Sequence, residues 1–200
     1  MQKIIPNIWC QGNADEVAEY YVDIFSHTPQ EAHIQETITY SEEGLQEFQE
    51  SLAGKTLTVE VELSGTRFIL INAGVEFRPN PFLSFVLNFD PILEPEAKAH
   101  LEQMWQLLSS TGKVLMPLDS YPFSPYFAWV EDPYEVSSQL HLAPEGSDPR
   151  SFIIPSFMFG AEAQNQAKAA QRSTSALFQI PNWAAPWSLP KQLDLLKRAH

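Results

Sequence analysis

The chain has 200 residues, the length of one large domain or two small ones. Its 12 basic and 25 acidic residues give a formal net charge of −13, which argues against binding to nucleic acid or to an anionic membrane, since both attract basic clusters. Hydrophobic residues make up 44% of the chain and aromatic residues 12%, enough for a packed core, so wholesale disorder is not expected.

The first half of the chain predicts a strand, a helix and three more strands. The ranges are strand 4–10, helix 14–25, strand 31–40, and a hairpin of strands 57–63 and 67–73. Pro6 near the start of the first strand indicates a sheet edge, and Asn13 is a suitable N-cap for the helix. The hairpin follows from alternating apolar residues on both sides of Ser64 and Gly65.

The second half repeats this order. The ranges are strand 82–89, a helix from about Pro95 to a C-cap at Gly112, strand 114–118, and a hairpin of strands 126–132 and 136–142. Two copies of one plan predict an α+β protein of two modules, each with one helix on a mostly antiparallel sheet.

A third beginning follows residue 146. Residues 152–159 repeat the Ile4-Ile5-Pro6 pattern of the first strand, and residues 161–178 predict a helix. Residues 179–200 hold a loop with Trp and Pro and a short basic segment. We expect one complete domain over 1–146 and a strand–helix extension with a tail over 147–200.

Cysteine usage and apolar runs bear on location. Cys10 is the only cysteine, so neither an internal disulfide nor a cysteine-based zinc cluster is possible. The N-terminal apolar run is too short for a signal peptide, and no run approaches the roughly 18 residues of a membrane span. We expect a cytoplasmic protein without membrane partners.

Six segments carry a resemblance to a known family. They are Ile5–Trp9, Ala14–Phe25, Leu70–Gly74, Leu115–Pro117, Phe127–Asp132 and Val136–Leu140. In order and spacing they resemble the PhnB-like (demethylubiquinone methyltransferase-like) branch of the vicinal-oxygen-chelate superfamily, which includes glyoxalase I and bleomycin-resistance proteins. The resemblance implies the α+β glyoxalase/bleomycin-resistance-like fold, in which two βαβββ modules form a curled, mostly antiparallel sheet around a cleft.

The extension resembles the start of a second such domain. It stops after one strand and one helix, so the resemblance implies that residues 147–200 are a partial second-module remnant. Because the cleft in this superfamily is often completed across a dimer, a homodimer is also implied. The C-terminal arm would then pack on its own domain or exchange with the partner.

The resemblance further implies positions for a divalent metal ion, held in superfamily enzymes by His, Glu or Gln. The matching positions here are Pro6/Asn7, Asn72, Leu83/Ser84 and Gln139. Amides and a hydroxyl are weak ligands for zinc, nickel or iron, so we expect no metal ion. His141 lies on the same strand face as Gln139 and leaves an atypical metal site open.

Other catalytic signals are weak. No two of the eight glycines lie within three residues of each other, so the Gly-rich turn of a nucleotide-type cofactor is missing, and we expect neither methyl transfer nor a cofactor. Cys10 has no neighbouring His in the sequence, and catalytic residues stay unknown. Glu60 and Glu62 share a strand face that we expect to meet solvent.

Aromatic residues on the predicted strands are candidates for the cleft walls, although most of them could equally be core. They are Trp9, Phe68, Phe85, Tyr126, Phe127 and Trp129. Small-molecule pockets combine apolar walls with a few polar groups, and an indole N–H seeks a partner. The candidate ligand-binding residues are therefore Asn7, Trp9, Asn72, Ser84, Trp129, Gln139 and His141.

The turn before the last strand of the second hairpin departs from the family pattern, which commonly has Gly there. Here the turn is Asp132-Pro133-Tyr134-Glu135. If Glu135 needs a positive φ, the strain costs on the order of 1 kcal/mol. The alternative is a different turn type.

These observations favour a metal-independent protein that binds an apolar or aromatic small molecule. One alternative is a metal-dependent lyase, isomerase or dioxygenase with an atypical site at Gln139 and His141. The other is a remnant interaction protein without chemistry, which a cleft filled by its own side chains would favour.

Overall fold

The computed structural model describes residue 2 and residues 4–29, 31–160 and 163–178. The first module comprises β1 (Asn7–Trp9), α1 (Ala14–Ser26), β2 (Ala32–Thr39), β3 (Thr56–Leu63) and β4 (Thr66–Ile71). The second comprises β5 (Leu83–Phe89), α2 (Ala97–Thr111), β6 (Lys113–Tyr121), β7 (Ser124–Glu131) and β8 (Ser137–Leu142). A 3₁₀ helix (Glu47–Leu52) precedes β3, and β9 (Ile153–Phe157) and α3 (Ala167–Phe178) follow the second module.

The strands form two open sheets of the same topology. Sheet 1 has the order β1-β4-β3-β2, and sheet 2 has the order β6-β7-β8-β5-β9. In each module the first strand runs parallel to the last, and the other pairs are antiparallel. The α+β class and the two βαβββ modules predicted from the sequence are confirmed, with the strands divided between two sheets.

Strand alternation places one face of each sheet against a helix. In β3, Val59, Val61 and Leu63 are buried in the core, while Glu60 and Glu62 lie on the opposite face, as predicted. The Arg67 guanidinium donates two hydrogen bonds of 2.7 Å to the Glu60 carboxylate. The carboxylates therefore stay out of the core.

Helix α1 begins after Asn13, as predicted, but a distant residue caps it. The Asn13 side chain makes no cap hydrogen bond, because its Oδ1 accepts from the Gln11 backbone N–H at 3.0 Å. Asn72 Oδ1 instead accepts from the Ala14 backbone N–H, also at 3.0 Å. One of the free N–H groups at the helix start is thus satisfied from the end of β4.

Helix α2 ends where the predicted C-cap Gly112 makes a close approach. A Cβ atom on Gly112 would lie 2.5 Å from the Glu131 carbonyl oxygen and 2.6 Å from that of Leu108. A side chain there would force backbone to move. Glycine is needed at this position for space, because its φ of −94° is an ordinary value.

The helix-facing sides of the two modules share one hydrophobic core. Phe68 of β4 and Phe85 of β5 meet edge to face with ring centroids 5.1 Å apart. Tyr21 of α1 donates its hydroxyl proton to Asp132 Oδ2 at 2.6 Å, next to the turn between β7 and β8. Burial raises the pKa of the Asp132 carboxyl, although three hydrogen bonds oppose this effect.

The extension contributes its strand to sheet 2. β9 pairs antiparallel with β5, and Phe152 packs edge to face on Phe25 and Phe89. The predicted strand over 152–159 is present over a shorter range, and the helix predicted from residue 161 begins at Ala167. The predicted tail 179–200 lies outside the described residues. In the described ranges no helix is long and apolar enough to cross a membrane.

Candidate functional site

Four of the seven candidate residues lie together on the face of sheet 2 opposite α2, which we call the Trp129 face. Strand register sets them in rows: Trp129 of β7 lies beside Gln139 of β8, and His141 lies one row away. Ser84 of β5 aligns with Ser137 at the start of β8. The structure therefore brings four of the candidates, Ser84, Trp129, Gln139 and His141, onto a single surface.

A hydrogen bond between uncharged side chains crosses this face. Gln139 Nε2 donates to Ser84 Oγ at 2.7 Å. Ser84 is fully buried, while Gln139 is partly exposed. The amide and the hydroxyl satisfy part of each other's hydrogen-bonding capacity. The partly exposed Gln139 lies directly beside the buried Trp129.

His141 is a neutral side chain on the same face. Its Nδ1 lies 3.4 Å from Asn88 Oδ1, and Asn88 on β5 is not among the candidates predicted from the sequence. Burial, and then the positive charge of Arg150, lowers the pKa of His141 to about 4. At neutral pH the imidazole carries no charge and can serve as a donor or an acceptor.

Two further polar atoms on this face are buried without a hydrogen-bond partner in the described residues. These are Trp129 Nε1 and Ser137 Oγ. Trp129 is 2% exposed and Ser137 is 0% exposed. Ser137 was missed by sequence reasoning, because neither its type nor its position in a strand separates it from an ordinary core serine.

Asn7 and Trp9 lie on the other sheet, on the face opposite α1. Trp9 Nε1 donates to the Gly74 carbonyl oxygen at 2.8 Å, and the ring meets Phe77 edge to face at 5.0 Å. Asn7 is exposed, and its Nδ2 donates to the Ile5 carbonyl oxygen at 3.1 Å. The two candidate tryptophans therefore differ, since in the described part of the chain only the Trp9 indole has a hydrogen-bond partner.

Asn72 serves the fold of the first module. Beside its bond from the Ala14 N–H, its Nδ2 donates to the Thr56 carbonyl oxygen at 3.1 Å. Its own carbonyl oxygen accepts from the Tyr40 hydroxyl at 2.8 Å. Both ends of its side-chain amide are engaged in holding β3, β4 and α1 together.

Three of the six aromatic candidates face the helices and pack in or against the core, which is the alternative that the sequence left open for most of them. Phe68 and Phe85 pack edge to face on each other within the core. Tyr126 packs against the core and donates its hydroxyl proton to Glu102 Oε1 of α2 at 2.7 Å. Only Phe127 and Trp129 of sheet 2 share the face of Gln139, because side chains alternate along each strand.

The donor set at the family's metal positions does not fit a transition-metal ion. Asn72 is committed to the fold, and Gln139 and Ser84 are bonded to each other. Zinc, nickel and iron sites are built from imidazole, thiolate or carboxylate. Within the described ranges, no three His, Cys, Asp or Glu residues come together as a possible metal site.

Cys10 is buried and protonated. Burial raises the pKa of its thiol to about 11, and the Sγ atom lies 3.7 Å from the Ile8 carbonyl oxygen. Only the thiolate is a strong nucleophile. Cys10 is therefore a small packing residue at neutral pH.

An apolar pocket of about 550 Å³ lies elsewhere, at the end of sheet 2 where β5 and β9 meet. Its lining includes Phe82, Phe157 and Phe159, and Phe82 and Phe157 are largely exposed. None of the candidate residues lines it. The pocket is thus separate from the Trp129 face.

Comparisons with known proteins agree with this geometry. The family described as 3-demethylubiquinone-9 3-methyltransferase matches residues 2–141. A Bacillus cereus structure, a putative 3-demethylubiquinone-9 3-methyltransferase and PhnB protein, is 28% identical, with 71% of this chain and 100% of that chain covered and a TM-score of 0.57.

A second solved structure, PA1353 from Pseudomonas aeruginosa, is 16% identical over 71% of this chain and 98% of its own, with a TM-score of 0.55, and shows the fold alone. A glyoxylase/bleomycin resistance protein/dioxygenase domain from Frankia is 13% identical over 74% of this chain and 96% of its own, with a TM-score of 0.46. No curated protein matches the chain.

Proposed function

The chain belongs to the family described as 3-demethylubiquinone-9 3-methyltransferase, the PhnB-like branch that its motifs resemble, and from this premise we propose that it is a metal-independent protein that binds an apolar or aromatic small molecule. The activity in the family's description is not part of the proposal. No Gly-rich turn of the nucleotide-binding type is present in the sequence.

The observation that carries the proposal is the chemistry of the Trp129 face. Aromatic walls from Phe127 and Trp129 stand beside uncharged polar groups on β5 and β8. The Trp129 indole N–H is buried without a partner in the described residues. Small-molecule sites combine apolar walls with a few polar groups in this way, and a buried polar atom without a partner is rare in folded proteins.

We also propose that the protein is cytoplasmic and that it forms a homodimer. The buried, protonated thiol of Cys10 is compatible with a reducing compartment. A second copy has room at sheet 1, where β1 pairs only with β4 in the described residues. The exposed Ile38 lies in the same strand row as Ile71 and Trp9, on the face opposite α1.

Calorimetric titration with 2-naphthol tests the binding function. We expect saturable binding that the substitution Gln139→Phe weakens roughly tenfold, about 1.4 kcal/mol of binding free energy, because the larger side chain occupies the space beside Trp129 that the ligand would take. The matched control is Gln35→Phe, which makes the same change at an exposed position on β2 of the other sheet and should leave the affinity unchanged. Equal weakening in both variants, or no saturable heat in the unaltered protein, would contradict the proposed site.

A further inference from the structure

We propose that the ligand carries a neutral hydrogen-bond acceptor, such as a carbonyl oxygen attached to an aromatic ring, which lies against Trp129 Nε1 and Ser137 Oγ. This inference rests on the proposed function, because it names the chemistry of the ligand at that same face. An indole N–H can only donate, and a serine hydroxyl can donate or accept. An oxygen with two lone pairs can therefore satisfy both groups.

The two groups are close enough to act on one ligand atom or on one small group. Gln139 lies directly opposite Trp129 in the antiparallel pair of β7 and β8, and Ser137 lies two residues before Gln139 on the same face. Diagonal neighbours of this kind have their Cβ atoms about 7–8 Å apart, within reach of a long aromatic side chain. Trp129 is 2% exposed and Ser137 is 0% exposed.

Among the described residues no neighbouring side chain supplies the acceptor, because Trp129 Nε1 has no hydrogen-bond partner there, the Oε1 atom of Gln139 included. Gln139, the residue beside Trp129, donates through its Nε2 to Ser84 Oγ at 2.7 Å. Trp9 shows the ordinary outcome for a tryptophan in this fold, since its Nε1 donates to the Gly74 carbonyl oxygen at 2.8 Å. Burial of an N–H group without an acceptor is unfavourable, so the Trp129 N–H favours a bound acceptor over an empty contact.

Beside Ser137 the register places the Glu131 carboxylate, which favours a neutral ligand over an anion at this point, while the positive charge of Arg150 acts at His141, farther along β8. Glu131 lies opposite Ser137 in the strand register, and its carboxylate oxygen Oε1 is 4.0 Å from Lys113 Nζ. The Glu131 carboxylate therefore lies in the row of Ser137 and Ser84, next to the proposed position of the acceptor. His141 is uncharged at neutral pH, and the whole chain carries a net charge of −13, so long-range attraction of anions is also unfavourable.

Partly exposed side chains lie beside the buried Trp129. Gln139 on β8 and Val86 on β5 lie in the same row as Trp129, and both are partly exposed. A planar ligand entering along this row would reach the indole N–H after passing the Gln139 side chain.

The test compares three ligands of one shape by NMR on the ¹⁵N-labelled full chain. Acetophenone has the carbonyl acceptor, α-methylstyrene replaces that oxygen with a CH₂ group, and benzoate carries a charge. We expect acetophenone to bind about fivefold more tightly than α-methylstyrene, from one gained hydrogen bond. The indole proton of Trp129 should move downfield with acetophenone only, and benzoate should bind more weakly than acetophenone.

Two variants assign the effect to the donor. Trp129→Phe removes the N–H and should abolish the fivefold preference, whereas the matched control Trp105→Phe, on α2 at the other side of sheet 2, should keep it. Ser137→Ala should reduce the preference while the Trp129 signal remains visible, which keeps the test valid if Trp129→Phe fails to fold.

The outcomes separate the two proposals. Equal affinity for acetophenone and α-methylstyrene, as expected if a buried water already serves both groups, would overturn the acceptor and leave the binding function standing. Tighter binding of benzoate would overturn the neutral ligand. If neither acetophenone nor α-methylstyrene binds while 2-naphthol does, the acceptor is overturned, and if 2-naphthol does not bind either, the binding function itself fails.

Discussion

Glu135, in the turn between β7 and β8, has a φ of 66°, which is the strained conformation that the sequence raised as one possibility. The turn is held by Asp132, whose Oδ1 accepts from the backbone N–H groups of Tyr134 and Val136 at 2.8 and 3.0 Å. These bonds fix the turn and hold the backbone of Glu135 in the left-handed region. The Glu135 carboxylate lies 3.2 Å from Arg78 Nη1.

Replacing Glu135 separates backbone strain from the ion pair. Glu135→Gly and Glu135→Ala both lose the contact with Arg78, which is exposed and contributes little. We expect the Gly variant to be more stable than the Ala variant by about 1 kcal/mol, because only glycine adopts this φ without strain. Urea unfolding of both variants checks this, and equal midpoints would show that the turn relaxes to another type.

His141 couples stability to pH. Its pKa is lowered to about 4 in the folded chain from an ordinary value of 6.5, so the unfolded chain binds more protons between these values. Stability from this residue is therefore present above pH 6.5 and is lost as the pH falls towards 4, by an amount on the order of 3 kcal/mol.

The substitution His141→Gln should remove most of this loss. The measurement is the free energy of unfolding at pH 7.5 and at pH 4.5 for the unaltered chain and the variant. His33→Gln, at an exposed position on β2, is the control and should retain the full loss. A pH dependence that is the same in all three proteins would show that the imidazole is not desolvated in the folded state.

At the scale of elements, β1 and β9 share the Ile-Ile-Pro pattern and use it differently. The Ile69 N–H donates to the Pro6 carbonyl oxygen, so the Pro6 backbone faces β4 and the backbone groups of Asn7 face away from it. In β9 the Asn88 N–H donates to the Phe152 carbonyl oxygen and the Met158 N–H to that of Phe82. Alternation then directs the Pro155 nitrogen away from β5.

The two prolines therefore have opposite effects on the sheet edges. Pro155 lacks an N–H on the outer edge of β9, which disfavours the addition of another strand to sheet 2. Pro6 faces inward, and the outer edge of β1 keeps the N–H groups of Asn7 and Trp9. Of these two edges, β1 is the one at which we place the second copy of the proposed homodimer, in an antiparallel pair around a two-fold axis.

Asn7→Pro tests this pairing. The change removes an N–H from the outer edge of β1 and leaves the bonds to β4 in place. We therefore expect a monomer whose free energy of unfolding changes by no more than about 1 kcal/mol. Asn7→Ala, which keeps the N–H, should remain dimeric. Light scattering after gel filtration gives the mass of each protein. A dimer that survives Asn7→Pro would place the interface elsewhere, and a monomeric unaltered chain would remove the dimer from the proposal.

At the scale of the whole molecule, the shared core decides which candidate residues can act together. The helix-facing sides of both modules meet in one cluster, with Phe68 against Phe85 and Tyr21 bonded to Asp132. This packing removes Phe68 and Phe85 from any ligand surface. It leaves the polar candidates of β5 and β8 on the Trp129 face, and it leaves Asn7 and Trp9 on a different sheet.

The sequence by itself determined the local order of this protein. Two strand–helix–strand–hairpin units, the helix starting after Asn13, the outward face of Glu60 and Glu62, and the family were all predicted, because periodicity and turn residues act over a few neighbours. These features hold in the structure. The resemblance likewise rested on segments that are contiguous in the chain.

Only the tertiary structure decided which face of each strand meets a helix and where each polar atom finds its partner. Alternation says that Ser84 and Phe85 lie on opposite faces, but not which of the two is packed on α2. The capping of α1 by Asn72, the pairing of β9 with β5 and the different surroundings of Trp9 and Trp129 all join residues far apart in the chain. Such contacts depend on how the modules close on each other, and a local pattern carries no information about that closure.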